Sequence, residues 1–98
     1  MSEIQEARLR RMRMRAWRRG TREMDLILGP FADARLGAMA GPALDGFDAL
    51  LAENDQELLD WVLGRVPVPE GFAGLIAEIG DFARARLGPA SDAGPGMG

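Results

Sequence analysis

An all-α fold, a compact bundle of about five short helices, is what this 98-residue sequence predicts. Three observations lead there. Apolar residues recur at i, i+3, i+4 and i+7 in segment after segment, and nowhere do they alternate with the period of two that a half-buried strand needs. Gly and Pro stand between those segments, where chain reversals belong. A chain of this length forms one domain and buries only about two thirds of its unfolded surface, so helices around one small core use up what it can build. Residues 1–88 are assigned to the bundle. Residues 89–98, rich in Gly, Pro and Ala and without an apolar stripe, are assigned to a disordered tail.

The first helix is expected over Glu3 to Arg18, a stretch free of Gly and Pro. Leu9, Met12 and Ala16 fall on one face there, Met14 and Trp17 form a second apolar track, and Arg fills the remaining surface. Gly20 interrupts. Met24, Ile27, Leu28 and Phe31 then mark the buried face of a second helix, and Pro30, inside that pattern, is expected to kink or end it. Gly41-Pro42 opens a third helix with Pro in its first turn, where the missing N–H costs nothing, and Leu44, Phe47, Leu50 and Leu51 face inward. Asn54 reads as the N-cap of a fourth, with Glu57 three residues on as in a capping box, Leu58, Trp61 and Val62 inside and Gly64 as terminator. Val66-Pro67-Val68-Pro69 must run extended. The fifth helix starts near Glu70, turns Phe72, Leu75, Ile76, Ile79 and Phe82 or Ala83 inward, and stops at Gly88-Pro89.

The residue inventory removes much chemistry. There are 12 Arg but no Lys, and no His, Cys or Tyr. Common zinc sites, an imidazole-based triad, Schiff-base chemistry and a disulfide framework all lose their reagents. A non-catalytic protein is expected. No apolar run approaches the ~18 residues of a membrane span, and Glu3 and Glu6 are foreign to an Arg-rich transit peptide, so a cytoplasmic location follows, with no membrane insertion.

Charge is segregated. Residues 1–22 carry eight Arg against Glu3 and Glu6, a balance of +6, whereas residues 23–98 carry a balance of −9. Two readings stay open: mutual neutralisation within the fold, or an exposed basic face that meets a partner. The acidic body and the lack of Tyr weigh against nucleic acid. The acids from Glu53 to Asp60 suit the positive end of a helix better than a metal, and Trp61, among leucines and valines, belongs to the core. Gly20 is either the bare turn between two helices or a point of close backbone approach.

The segment Arg19-Gly20-Thr21-Arg22-Glu23, followed by Met24-Asp25-Leu26 and Pro30-Phe31, resembles the Arg-Gly-x-x-Glu signature of the SdhE-type succinate dehydrogenase assembly (flavinylation) factors. Leu50-Leu51 before the Asn54-Asp55 turn and the Asp60-Trp61 pair extend the resemblance, which runs from about Arg8 to about Leu87. Trp17 departs from the small residue that some members carry there. The resemblance implies a five-helix bundle that promotes covalent attachment of FAD to a histidine of the succinate dehydrogenase flavoprotein subunit, and in bacteria also of fumarate reductase. It implies a contact surface of Arg19, Gly20 and Glu23 with Arg18 and Asp25 beside them. In that role Gly20 permits close backbone approach, Arg19 donates its planar fork to a partner carboxylate or carbonyl, and Glu23 accepts from the partner or holds Arg19. FAD is expected to be handled on the partner, with no tightly bound cofactor and no metal here, and the factor to act as a monomer. The alternative class is a small regulatory or antitoxin-like interaction module that uses the same basic face.

Overall fold

The computed structural model describes residues 3–87, and its elements follow from local signals of three kinds: apolar spacing, caps and glycines. Among the described residues there are five α-helices and no strand: α1 (Glu3–Trp17), α2 (Arg22–Arg35), α3 (Pro42–Leu51), α4 (Asp55–Val62) and α5 (Ala73–Leu87), with 3₁₀ turns at Leu36–Ala38 and Glu70–Phe72. The all-α bundle is as expected. The expected tail over 89–98 lies outside the described residues.

Caps set the boundaries. Thr21 Oγ1 accepts from Met24 N at 3.3 Å to start α2, and Asn54 Oδ1 accepts from Glu57 N at 2.8 Å to start α4, each satisfying one of the N–H groups that a helix start leaves unpaired. Pro42 occupies the first turn of α3. At the end of α4, Gly64 takes φ 75°, and the N–H groups of Gly64 and Arg65 return to Trp61 O and Asp60 O at 3.1 and 2.8 Å, a Schellman closure.

The core is organised on α2, whose Met24, Ile27, Leu28, Phe31 and Ala32 are all buried. Met12 and Ala16 of α1 cover it from one side, and Leu44, Phe47, Leu50 and Leu51 of α3, Leu58 and Trp61 of α4, and Ile76, Ile79 and Ala83 of α5 complete it. Phe31 packs on Phe47 and Phe82 with ring centres 5.8 and 5.7 Å apart. Each such fully buried large side chain contributes on the order of 2–3 kcal/mol of transfer free energy. Phe72, Leu75 and Phe82 are half-buried at the margin, so the fifth helix buries a narrower face than its spacing suggested.

Of the two outcomes expected at Pro30, a kink or an end, the end does not occur: α2 runs through it to Arg35. The residue before a proline is normally driven from helical dihedrals by a clash of its Cβ with the proline ring, and here that residue is Gly29, which has no Cβ. The same absence serves a second contact. A Cβ built on Gly29 would lie 2.6 Å from Cε3 of Trp17, because the indole lies flat on this spot while its Nε1 donates to Asp33 Oδ2 at 3.2 Å. Trp17 thus closes the α1–α2 pair rather than pointing outward as a free aromatic. Gly29→Ala is expected to cost about 1–3 kcal/mol, the cost of overpacking a tight contact, despite the better helix propensity of Ala. A urea midpoint at or above that of the unsubstituted protein would contradict this contact.

Candidate functional site

The site is the corner where α1 turns into α2, over the junction of α3 and α4. Helix ends make this corner polar by necessity: the last carbonyls of α3 and the first N–H groups of α2 and α4 have no partner within their own helices. The sequence fills that need with Arg19. Its Nη1 donates to Leu51 O at 2.7 Å, its Nη2 to Glu53 O at 2.6 Å, and its Nε to Asp55 Oδ1 at 2.7 Å. A cation at the C-terminal end of α3 and a carboxylate in the first turn of α4 are both on the favourable side of their helix dipoles. Only 9% of the Arg19 side chain and 16% of the Asp55 side chain reach solvent.

Asp55 works twice, since its second oxygen accepts from the Gly20 N–H. Asp25 holds the same turn from the other side by accepting from Arg19 N at 2.6 Å. Two carboxylates therefore fix the backbone of Arg19 and Gly20. Gly20 is required for space rather than for backbone freedom: positive φ among the described glycines belongs to Gly41 and Gly64, while a Cβ at Gly20 would stand 2.8 Å from Asp55 Oδ2. Gly20 is the expected helix junction, and the group packed against it is the side chain of this chain's own Asp55.

The five residues expected to form one contact surface divide into two groups. Arg18, Gly20 and Glu23 are exposed on the corner, with Thr21 and Arg22 between them. Arg19 faces inward, against the expectation that its fork meets a partner, and Asp55 rather than Glu23 holds it. Asp25 is half-buried and engaged in the turn. Arg19 and Asp25 thus shape the surface that Arg18, Gly20 and Glu23 present. Asp55 is the member that sequence reasoning did not single out. Its signal was the Asn54-Asp55 turn, visible as part of a motif but without a role until α3 and α4 bring it under Gly20.

The basic segment is half spent inside the fold. Arg8 pairs with Asp45 and Asp48 at 3.0 Å each, Arg15 with Asp48 at 2.8 Å, Arg13 with Asp33 at 3.5 Å, and Arg19 with Asp55. Arg10, Arg11, Arg18 and Arg22 are exposed and have no carboxylate partner among the described residues. Mutual neutralisation thus accounts for half of these arginines, and the other half are an exposed basic surface. Asp48 shows the pairing most clearly: hydrogen bonds from Arg15 and then Arg8 hold its carboxyl below the ordinary aspartate range, against an opposing push from partial burial.

A carboxyl depressed in the folded state adds stability above its unfolded pKa of about 3.9, and that stability is lost as pH falls through the lower folded value. Asp48→Asn is accordingly expected to lower stability at neutral pH by under about 1 kcal/mol, given its exposure. The difference should close as the pH drops into the range where Asp48 takes up its proton. Urea midpoints measured across that range check this, and a deficit independent of pH would contradict it.

Among the described residues no cluster of His, Cys, Asp or Glu could hold a metal ion, and no helix is long and apolar enough to cross a membrane. Nothing at the corner is arranged as a nucleophile with its base.

Comparison with known proteins places the corner in context. The family model described as "Flavinator of succinate dehydrogenase" matches residues 10–83, most of the chain and all of this corner. The FAD assembly factor SdhE of Acetobacter pasteurianus is 42% identical over 64 residues, covering 65% of this chain and 59% of that protein. The mitochondrial succinate dehydrogenase assembly factor 2 of Mycosarcoma maydis is 38% identical over 72 residues, covering 74% of this chain and 30% of that protein. The FAD assembly factor SdhE of Vibrio cholerae is 36% identical over 50 residues, covering 51% of this chain and 58% of that protein. The chain spans less than two thirds of the length of these curated relatives. With the match extending over helices α1 to α5 and through the Arg19–Glu23 motif, this chain belongs to the family of flavinators of succinate dehydrogenase.

Proposed function

We propose that this chain is an assembly chaperone that binds the flavoprotein subunit of succinate dehydrogenase and promotes covalent attachment of FAD to a histidine of that subunit. The observation that carries the reading is the corner itself: an exposed Gly20 and Glu23, in a chain of this family, on a turn made rigid by the buried Arg19–Asp55 pair. Such a turn presents backbone and carboxylate in one fixed arrangement, which spares a complex the cost of ordering a loop on binding.

The factor makes no covalent bond. With no His, Cys or Lys it has no nucleophile suited to flavin chemistry. Its contribution is orientation: the partner supplies the histidine and the flavin, and the bound factor holds the partner in a conformation in which the two meet, a proximity effect. Glu23 and Arg18 make the polar contacts, Gly20 admits the partner's surface close to the backbone, and Arg19 with Asp25 and Asp55 keeps the turn in shape. The factor acts as a monomer and handles no FAD tightly on its own. Fumarate reductase is a second client of the same chemistry.

The test is covalent flavin fluorescence of the flavoprotein subunit on a denaturing gel, from cells lacking this protein and cells complemented with the unsubstituted chain or Glu23→Ala. Loss of the band in the deletion, restored by the unsubstituted chain and only weakly by Glu23→Ala, is expected. An undiminished band in the deletion would overturn the assignment and favour an interaction module with another target.

A further inference from the structure

Helix α1 sorts its side chains by direction. Met12 and Ala16 enter the core, Arg8 and Arg15 turn to the aspartates of α3, and Arg13 and Trp17 turn to Asp33 and Gly29 of α2. Arg10, Arg11 and Met14 remain on the face turned away from the bundle, and Arg18 continues it one residue beyond the helix. Met14 is 45% exposed, and the arginines have no carboxylate among the described residues. Arg11 and Arg15 are a like-charge i, i+4 pair that costs a few tenths of a kcal/mol, and Met14 leaves nearly half of its surface to water.

We infer that this outer face of α1, with Arg10 and Arg11 flanking Met14, is a second docking surface for an acidic protein surface with an apolar centre. The inference rests on the assembly-factor reading and makes the occupant the same flavoprotein subunit, gripped at the Gly20 corner and along α1. The two surfaces are continuous: Arg11 and Arg18 are seven residues apart, roughly 10 Å along a helix, and Arg18 adjoins the corner. Charge complementarity selects acidic groups on the partner, four unpaired arginines being at hand, and Met14 among them gives the apolar-centre, polar-rim layout of a protein interface. A phosphate backbone fits less well. Glu3 and Glu6 on the same helix and Glu23 beyond its end interrupt the basic track that successive phosphates require.

The experiment measures affinity for the isolated flavoprotein subunit by calorimetry, with the unsubstituted chain, Arg10→Glu/Arg11→Glu and Met14→Ala. The double charge reversal is expected to weaken binding roughly tenfold or more, mainly through slower association. That deficit should shrink between about 50 mM and about 500 mM salt as screening grows, whereas the smaller Met14→Ala deficit should not change with salt. The arginine variants should melt near the unsubstituted chain, since neither arginine has a folded-state ion pair to lose, Met14→Ala should melt slightly below it because that side chain is half-covered, and Arg10→Gln/Arg11→Gln gives a milder control. If the unsubstituted chain fails to bind the subunit, the assembly-factor reading falls and this inference with it. If it binds and the charge-reversed variant binds equally well, this inference falls alone. Binding to a duplex oligonucleotide that Arg10→Glu/Arg11→Glu abolishes, with flavoprotein affinity unchanged, would also overturn it and assign the face to nucleic acid.

Discussion

Arg19→Ala is expected to lower the melting temperature by roughly 12–40 °C, the largest loss of stability expected of any change at the corner. Removing the guanidinium leaves Leu51 O and Glu53 O without their donor and strands the Asp55 carboxylate in a setting where only 16% of it meets water. Breaking a buried pair by deleting one partner costs about 3–5 kcal/mol, and in a domain of this size each kcal/mol moves the melting temperature by about 4–8 °C. The mostly buried position keeps this figure from the discount that exposed ion pairs require. Arg19→Lys should recover part of the loss, because an ammonium restores the charge but cannot reach two carbonyls and a carboxylate in one plane. In a double-mutant cycle, Arg19→Ala with Asp55→Ala should cost clearly less than the two single changes added together. Thermal melts followed by circular dichroism decide the matter. A melting temperature within a few degrees of the unsubstituted chain for Arg19→Ala would mean that the corner does not depend on this clamp.

The difference between α4 and the corner shows what a sequence makes legible. α4 is bounded by Asn54 and Gly64, whose roles as cap and terminator rest on backbone geometry a few residues long, and the structure has both in place. The inward face of α3 was equally readable, since Leu44, Phe47, Leu50 and Leu51 follow one period and all four are buried. That Pro30 does not end α2 depends on its permissive neighbour Gly29, which owes its own place to Trp17, twelve residues earlier. The arginines were the least legible. Along the chain the eight near the N-terminus look alike, and which of them finds an aspartate is decided by contacts 20 to 40 residues away, such as Arg13 with Asp33, Arg15 with Asp48, Arg19 with Asp55 and Arg8 with Asp48. The motif named Arg19 and Glu23 together without saying that one faces in and the other out. Direction is a property of the packed helices, and only after α3 and α4 are placed does Arg19 become scaffold and Glu23 surface.

Gly20→Arg is expected to weaken binding to the flavoprotein subunit by roughly a hundredfold or more, a loss of about 2.7 kcal/mol of binding free energy, while helical circular dichroism changes little. The two effects separate because the glycine sits outside every helix and needs no left-handed backbone, so a side chain there breaks no element. What it meets is Asp55 Oδ2, 2.8 Å from the position of a Cβ. A carboxylate at the end of a side chain could swing away at little cost if it were free, but this one is tied to Arg19 and to the Gly20 N–H, so its retreat loosens the clamp. Gly20→Ala isolates that step, with an expected cost of about 1–2 kcal/mol of stability, at the low end of overpacking, and a modest loss of affinity. Gly20→Arg adds a long cation to a corner already carrying Arg18 and Arg22, where it covers the backbone that a partner would approach and repels other cations nearby. If Gly20→Arg keeps full affinity, the corner is not the contact. If affinity and helicity are lost together, and to the same degree in Gly20→Ala, the glycine serves the fold alone, and the partner must be held elsewhere on the bundle.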